Sequence, residues 1–248
     1  MADKYNVARL VQQLAEERKL KYNGGIYYVT QIEMSYNSNR IEGSQLSKEH
    51  TRSLFETQTI LSTGNEVIKK DDLVTSSNHF VAFNYILDNY DKQLDEPMIK
   101  QVQKLLVQGT ADAECDWFNI GEYKKLPNEV SGMETTAPED VSTAMGKLVA
   151  AYNEKVNKTL EDVIDFHVAF EKIHPFQDGN GRTGRLLMFK ECLHYNILPF
   201  IINEKHKLFY YRGLREYASE KGFLLGTCQS AQDDYLALCK KFVPRFEG

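Results

Sequence analysis

Long apolar runs are missing from this chain. Even the segment ILPFII, residues 197–202, stops at six residues, far below the roughly 20 that a membrane-spanning helix needs. The opening stretch MADKYNVARLVQQLAEERKL likewise lacks the continuous apolar core of a secretory signal. Cysteines are few and scattered. Cys115, Cys192, Cys228 and Cys239 form no C-x-x-C pair, so neither a disulfide framework nor a zinc site is expected. Positive charge is in deficit, with 30 Lys and Arg against 35 Asp and Glu and a formal charge of −5. That balance excludes bulk attraction to nucleic acid or to an anionic membrane, and the expected location is cytoplasmic. Only 6 prolines punctuate 248 residues, and no repeat, linker or low-complexity stretch is visible. What is there is ordinary globular material, 42% hydrophobic and 26% charged, ample for a well-buried core.

Most of it reads as helix. Val7, Leu10, Val11 and Leu14 follow i, i+3, i+4, i+7 spacing, in a segment that ends near Gly24-Gly25. IYYVTQIEMSYNSNRIEG is β-rich at its start and helical from about Thr30, with Gly43 as the stop. Ser47 caps a helix over KEHTRSLFETQTIL. Further helices are expected over Asn78–Tyr90, Glu96–Leu106, Glu139–Asn153, Glu161–Ile173, Arg182–Tyr195 and Tyr210–Lys221. Thr159 with Asp162 three later suits a cap for the fourth of these. Residues 111–137 break the pattern with Gly121, Pro127 and Gly132, which predicts a loop with a possible hairpin. The fold class is mainly α, with one small β-hairpin.

HPFQDGNGRTGR, His174 to Arg185, carries the chemistry. Pro175 disfavours helix in the residue before it, so His174 ends an apolar helix. Two glycines around Asn180 permit a turn with inward-pointing N–H groups, and the chain runs straight into the next helix. Helix starts favour anions and disfavour cations, yet Arg182 and Arg185 stand there on one side, three residues apart. Such a site wants a polyanion: phosphate suits a helix N-terminus fed by a glycine turn, and arginines supply forked donors to it. Asp178 is placed to hold a divalent cation among phosphates. His174, with an ordinary imidazole pKa near neutrality, is the natural general base. Singly, each of these features is most often structural; their coincidence within twelve residues is what points to phosphate. His167, Glu171 and His174, at i, i+4, i+7, form a rival metal face, which the neighbouring arginines disfavour.

The same twelve residues resemble the signature of the Fic family, H-P-F-x-[D/E]-G-N-G-R-x-x-R, at every fixed position. GEYKK at 121–125 is similar to the family's segment before its flap, with Lys124 where arginine is common. LFYYRGL at 208–214 is similar to the segment lining its nucleotide pocket. The resemblance implies a Fic fold: a helical bundle with a β-hairpin flap, in which residues 1–74 form an N-terminal helical region packed on a catalytic core, 75–248. It implies transfer of AMP from ATP to a Ser, Thr or Tyr hydroxyl of a target protein, the enzyme itself included, with release of pyrophosphate. His174 would deprotonate the hydroxyl, and Asp178 would bind Mg²⁺, with Mn²⁺ as the alternative ion. Gly179, Asn180 and Gly181 would form the anion hole. Asn180 and Arg182 would hold the α- and β-phosphates, and Arg185 the γ-phosphate. Tyr210, Tyr211 and Leu214 would border adenine, and the target would dock at the flap near Leu126–Thr136.

A second pattern, SNRIEG at 38–43, resembles the family's inhibitory motif [S/T]-x-x-x-E-[G/N], in the class whose inhibitory helix is N-terminal. Ser38 and Glu42 are its fixed polar positions, and Glu42 would reach Arg185 in place of the γ-phosphate. A partly buried arginine–carboxylate pair is worth about 1.5–3 kcal/mol, which corresponds to roughly ten- to a hundredfold suppression. Other nucleotidyl or phosphoryl transfer, removal of AMP from a modified target, and a non-catalytic nucleotide-binding module are the competing functions. The oligomeric state is left open by the sequence, a homodimer included.

Overall fold

The structure, a computed structural model, describes residues 5–60, 67–130 and 133–247. In chain order the elements are α1 (Val7–Leu20), α2 (Ile26–Ile41), α3 (Lys48–Thr57), α4 (Lys70–Asp88), α5 (Glu96–Val107), a 3₁₀ turn (Asp112–Glu114), β1 (Glu129–Val130), β2 (Met133–Glu134), α6 (Pro138–Glu154), α7 (Leu160–Ile173), α8 (Asn180–His194), α9 (Lys207–Glu216) and α10 (Gly222–Phe242). β1 and β2 pair antiparallel, which is the small hairpin of a mainly α fold. Ser131 and Gly132, inside the expected flap, lie outside the described residues, as do 1–4 and 61–66 of the N-terminal region.

Local signals set the helix starts. Asn6, Ser47, Asp95 and Thr159 each accept a backbone N–H in the first turn that follows, satisfying donors that a helix end leaves orphaned. At α7 the Asp162 side chain returns a bond to the Thr159 N–H at 2.7 Å, completing a capping box.

Packing decides the rest. Every residue of α8 from Arg182 to Leu193 is buried, so this helix is the axis of the molecule. One core joins Phe83 and Ile86 of α4, Val102 and Leu106 of α5, Phe170 of α7 and Phe189 of α8. A second cluster joins Val168 and Met188 to Tyr210, Leu224 and Cys228, and includes Ile41 of α2.

Tertiary packing also moves several boundaries. α2 is helical from Ile26, before the expected Thr30, because Ile26 and Tyr27 are buried and their β propensity yields to burial. α4 begins at Lys70, eight residues ahead of Asn78, with Asp71 and Asp72 favourably placed in its first turn. α3 stops at Thr57, where Gln58 turns left-handed at φ 57°. α9 ends at Glu216, short of Lys221. The 21-residue α10 carries no expectation from sequence. Its buried face, Leu224, Thr227, Cys228, Ala231, Tyr235 and Cys239, has helical spacing but few large apolar residues, so the period is faint.

Residue 74 falls inside α4. α2 is tied to the core by buried polar contacts: Ser35 Oγ donates to the Ser76 carbonyl at 3.1 Å, and Thr30 Oγ1 meets Tyr235 Oη at 2.8 Å. Near the chain ends, Asn6 N–H donates to the Phe246 carbonyl at 2.8 Å, and Tyr5 stacks on Phe246.

Candidate active site

The segment between α7 and α8 is built to hold a fixed turn. His174 caps α7 in the left-handed region, φ 50° and ψ 61°, with its N–H on the Phe170 carbonyl at 2.9 Å. A non-glycine residue there is strained, a condition that packing must enforce. Phe176, fully buried, is the enforcement. Its N–H donates to Asn180 Oδ1 at 2.9 Å, and Asn180 Nδ2 donates back to its carbonyl at 2.8 Å. The Asn180 side chain is thereby spent on closing the loop. Gly179 has φ 83°, and a Cβ there would stand 2.9 Å from Val107 Cγ1; only glycine fits. Buried Gln103 of α5 braces the turn, donating to the Asp178 carbonyl at 3.0 Å while accepting from Gly121 N–H at 2.8 Å. Asn128, just before β1, donates to the Phe176 carbonyl at 2.9 Å. The hairpin and the α7–α8 loop are thus tied together. Neither Gln103 nor Asn128 carries a sequence signal for this role.

The first turn of α8 gathers positive charge. Arg182 donates to Asp178 Oδ2 at 2.8 Å. Its Nε is buried without a partner. Arg185 is buried and held by α2: Nε donates to Ser38 Oγ at 3.0 Å, and a terminal nitrogen reaches the Ser38 carbonyl at 3.0 Å and Glu42 Oε1 at 2.5 Å. Burial works against the guanidinium charge, but Glu42, Tyr210 and Glu171 together more than offset it and raise the pKa. Glu42 also lies directly over the turn: a Cβ on Gly181 would overlap its carboxylate and stand 2.9 Å from the Arg185 guanidinium. The carboxylate therefore sits at the anion-binding end of α8, where helix N–H groups and arginine converge. α9 supports it from the other side, with Tyr211 Oη donating to the Ile41 carbonyl at 3.1 Å and Lys207 Nζ to the Arg40 carbonyl at 3.4 Å.

Of the three α9 positions expected around adenine, Tyr211 alone is exposed, at 37%. Tyr210 is buried, its ring 6.0 Å from the Arg185 guanidinium carbon and its hydroxyl 2.6 Å from His167 Nε2. Leu214 packs on the second core cluster. Asp178 is half exposed, with one oxygen on Arg182 and the other open. A single open carboxylate beside a phosphate site fits Mg²⁺, which completes its shell with phosphate and water. Among the described residues, no group of three His, Cys, Asp or Glu is arranged to hold a metal ion, the helical face of His167, Glu171 and His174 included.

Burial holds His79, His167 and His174 neutral at pH 7. Burial drives His174 down to about 4, with Lys124 adding to the fall and the Glu171 carbonyl opposing it. That is well below the near-neutral value expected of an unburied imidazole. Burial and Arg185 take His167 down to about 3. Glu171 goes the other way, pushed up to about 8 by burial and by Glu42, against Arg185. Lys124, buried at the base of the hairpin, falls to about 8 through desolvation, while its Nζ donates to Asn128 Oδ1 at 2.6 Å and Thr135 Oγ1 at 2.5 Å.

Residues 93–192 match the model of the Fic/DOC family. The chain is 28% identical over 183 residues to "Protein adenylyltransferase Fic" of Aedes aegypti, and 29% identical over 183 residues to that of Drosophila melanogaster. Each alignment covers 73% of this chain and 36% of the relative, so the chain spans about a third of their length. Among solved structures, a Fic domain-containing signaling protein from Bacteroides thetaiotaomicron superposes with TM-score 0.74 at 22% identity, covering 96% of this chain and 99% of that one. Fic-1 of C. elegans superposes with TM-score 0.72 at 17% identity, covering 94% and 70%. These two likenesses establish the fold.

Proposed function

We propose, from the match of residues 93–192 to the Fic/DOC family model, that the chain is an autoinhibited protein adenylyltransferase, moving AMP from ATP to a hydroxyl of a target protein. The observation that carries the proposal is Glu42, paired with Arg185 and seated over Gly181 at the start of α8, and near enough to His174 to act on its charge. Neutral His174 takes the proton of a Ser, Thr or Tyr hydroxyl. The freed oxygen attacks the α-phosphorus, and the bond from that phosphorus to the bridging oxygen of the β-phosphate breaks. Pyrophosphate leaves. The α8 N–H groups, with Arg182, steady charge on the α- and β-phosphates, and Arg185 takes the γ-phosphate. The work is mostly placement and charge stabilisation. Mg²⁺ on Asp178 supplies counter-charge for the phosphates. Tyr211, on the exposed face of α9, borders adenine, with Tyr210 and Leu214 behind it. The target docks along the hairpin near Leu126–Thr136.

Glu42 is the brake. With its carboxylate on Arg185 and above Gly181, a γ-phosphate has neither its arginine nor its space. The site where this happens is proposed as cytoplasmic. A second reading, removal of AMP, draws on the same residue: Glu42 is 38% exposed and bonds Arg185 through one oxygen, so the other could hold a water against phosphorus.

The deciding measurement compares ATP labelled at the α- and at the γ-phosphorus on the Glu42→Gly variant, with cell lysate as target source. α-Label should enter protein, self-modification included, at roughly ten to a hundred times the wild-type level, and adding His174→Ala should abolish it. Label from the γ position would make the reaction a kinase one. Loss of pre-attached AMP, without incorporation, would favour the second reading.

A further inference from the structure

One buried acid in the site has no task in that chemistry. Glu171 lies on α7, one turn before His174 and one turn after His167. Its Oε1 has no hydrogen-bond partner, and neither has His167 Nδ1 or His174 Nδ1. Three orphaned polar atoms on one helix face are uncommon in a folded protein and call for a reason. Glu171 is central to them: Oε2 stands 3.9 Å from His174 Nδ1, and Oε1 stands 4.0 Å from His167 Nε2. α8 presses this face closely, for a Cβ on Gly184 would come within 2.6 Å of His167 Nδ1 and 2.9 Å of Glu171 Oε1. The group is sealed, yet its gaps are about 1 Å beyond bonding length, a distance one side-chain adjustment or one water closes.

We infer that Glu171 is the positioning residue of His174: its carboxylate takes the imidazole Nδ1–H, leaving the Nε2 lone pair toward the cleft as base. An imidazole accepts a proton only at the nitrogen that lacks one, so the group holding the other nitrogen decides whether it works. His167 cannot do this for His174, because its Nε2 is engaged by the Tyr210 hydroxyl at 2.6 Å. The main-chain carbonyl of Glu171 also draws on His174, but a carbonyl does not titrate. The carboxyl does.

The groups facing Glu171 are His167 and His174 from α7, Arg185 from α8, Glu42 from α2, and Tyr210 and Tyr211 from α9; Lys124 faces His174. In that setting Glu171 ionises only near pH 8, whereas His174 is already neutral above about 4. Between those values the imidazole keeps its charge state and changes only its tautomer. As pH rises through about 8, the carboxylate forms and the Nδ1–H tautomer is selected.

The inference rests on the base role proposed for His174, so the test has an arm that needs no reaction. Nitrogen NMR of the full chain labelled at histidine, with His174 assigned by its loss in His174→Ala, reads the tautomer directly. In wild type the Nδ1–H form should grow as pH crosses about 8. In Glu171→Gln, whose amide oxygen accepts without titrating, the growth should vanish. A wild-type tautomer ratio that is flat across that range overturns the inference, and the titration itself is run on the wild-type chain. So does a Glu171→Gln titration identical to wild type. In the Glu42→Gly background, Glu171→Ala should lower kcat tenfold or more at unchanged KM for ATP, with Glu171→Gln restoring part of it and losing the alkaline rise. If Glu42→Gly transfers no AMP while the NMR titration holds, the proposed reaction fails and the tautomer control stands.

Discussion

Arg185 is held by three oxygens of α2, from the Ser38 hydroxyl, the Ser38 carbonyl and the Glu42 carboxylate. Removing one leaves the others, so the proposed brake should be graded. Ser38→Ala deletes a hydrogen bond to a charged donor, worth about 1.5–3 kcal/mol at most and less here because water can enter. Incorporation of α-labelled AMP should rise about three- to tenfold, well short of Glu42→Gly. Activity equal to wild type would make the Ser38 hydroxyl a passive neighbour. The same geometry explains why serine, which can bond and stay small, stands at a position that is 2% exposed.

At the scale of elements, the site depends on how α7 is stopped and α8 is started. Gly179→Ala would put a side chain at φ 83° and 2.9 Å from Val107 Cγ1. A cost of about 1–3 kcal/mol is expected from the backbone alone, read as a lower denaturation midpoint, together with loss of transfer because the α8 N–H groups swing away. A stable, active Gly179→Ala would mean the turn is not the scaffold described. This junction was legible in the chain: Pro175, the two glycines and the paired arginines each announce it by local chemistry, as Thr159 and Asp162 announce the start of α7. Glu171, Gln103 and Asn128 were not, since their partners lie on other elements and depend on packing. α10 was hidden for a different reason. Its buried face mixes Thr227, Cys228 and Ala231 with larger residues, so its period is weak although its spacing is regular. The Ile26–Thr30 run misled through β propensity that burial overrode.

For the whole molecule, the neutral histidines predict how stability follows pH. His79 and His167 are taken down to about 3 and His174 to about 4, in each case chiefly by burial. A group whose folded pKa is lowered contributes stability that is complete above its unfolded value of 6.5 and drains as pH falls toward the folded one. Glu171, raised to about 8 from 4.5, has the opposite sign: its contribution is complete below 4.5 and lost as pH rises through about 8. Between 6 and 5 the three histidines outweigh the one acid by about two protons. Unfolding free energy should therefore fall by up to about 2–3 kcal/mol per pH unit there, measured by denaturant titration. His79→Phe should flatten the slope. Constant stability from pH 7 to 5 would contradict the burial of these rings.

On the proposed reading Glu42 and the γ-phosphate would share one seat, beside the α9 hydrogen bonds to the Ile41 and Arg40 carbonyls. Two ligands of one seat are linked reciprocally: whatever factor Glu42 costs the nucleotide, the nucleotide costs the docking of α2. If that reading holds, a nucleotide bound there would be legible on the outside, as a loosened backbone from Arg40 to Gln45. Substrate occupancy would then be carried on the surface, in a form that another macromolecule could read or reverse without entering the proposed cleft.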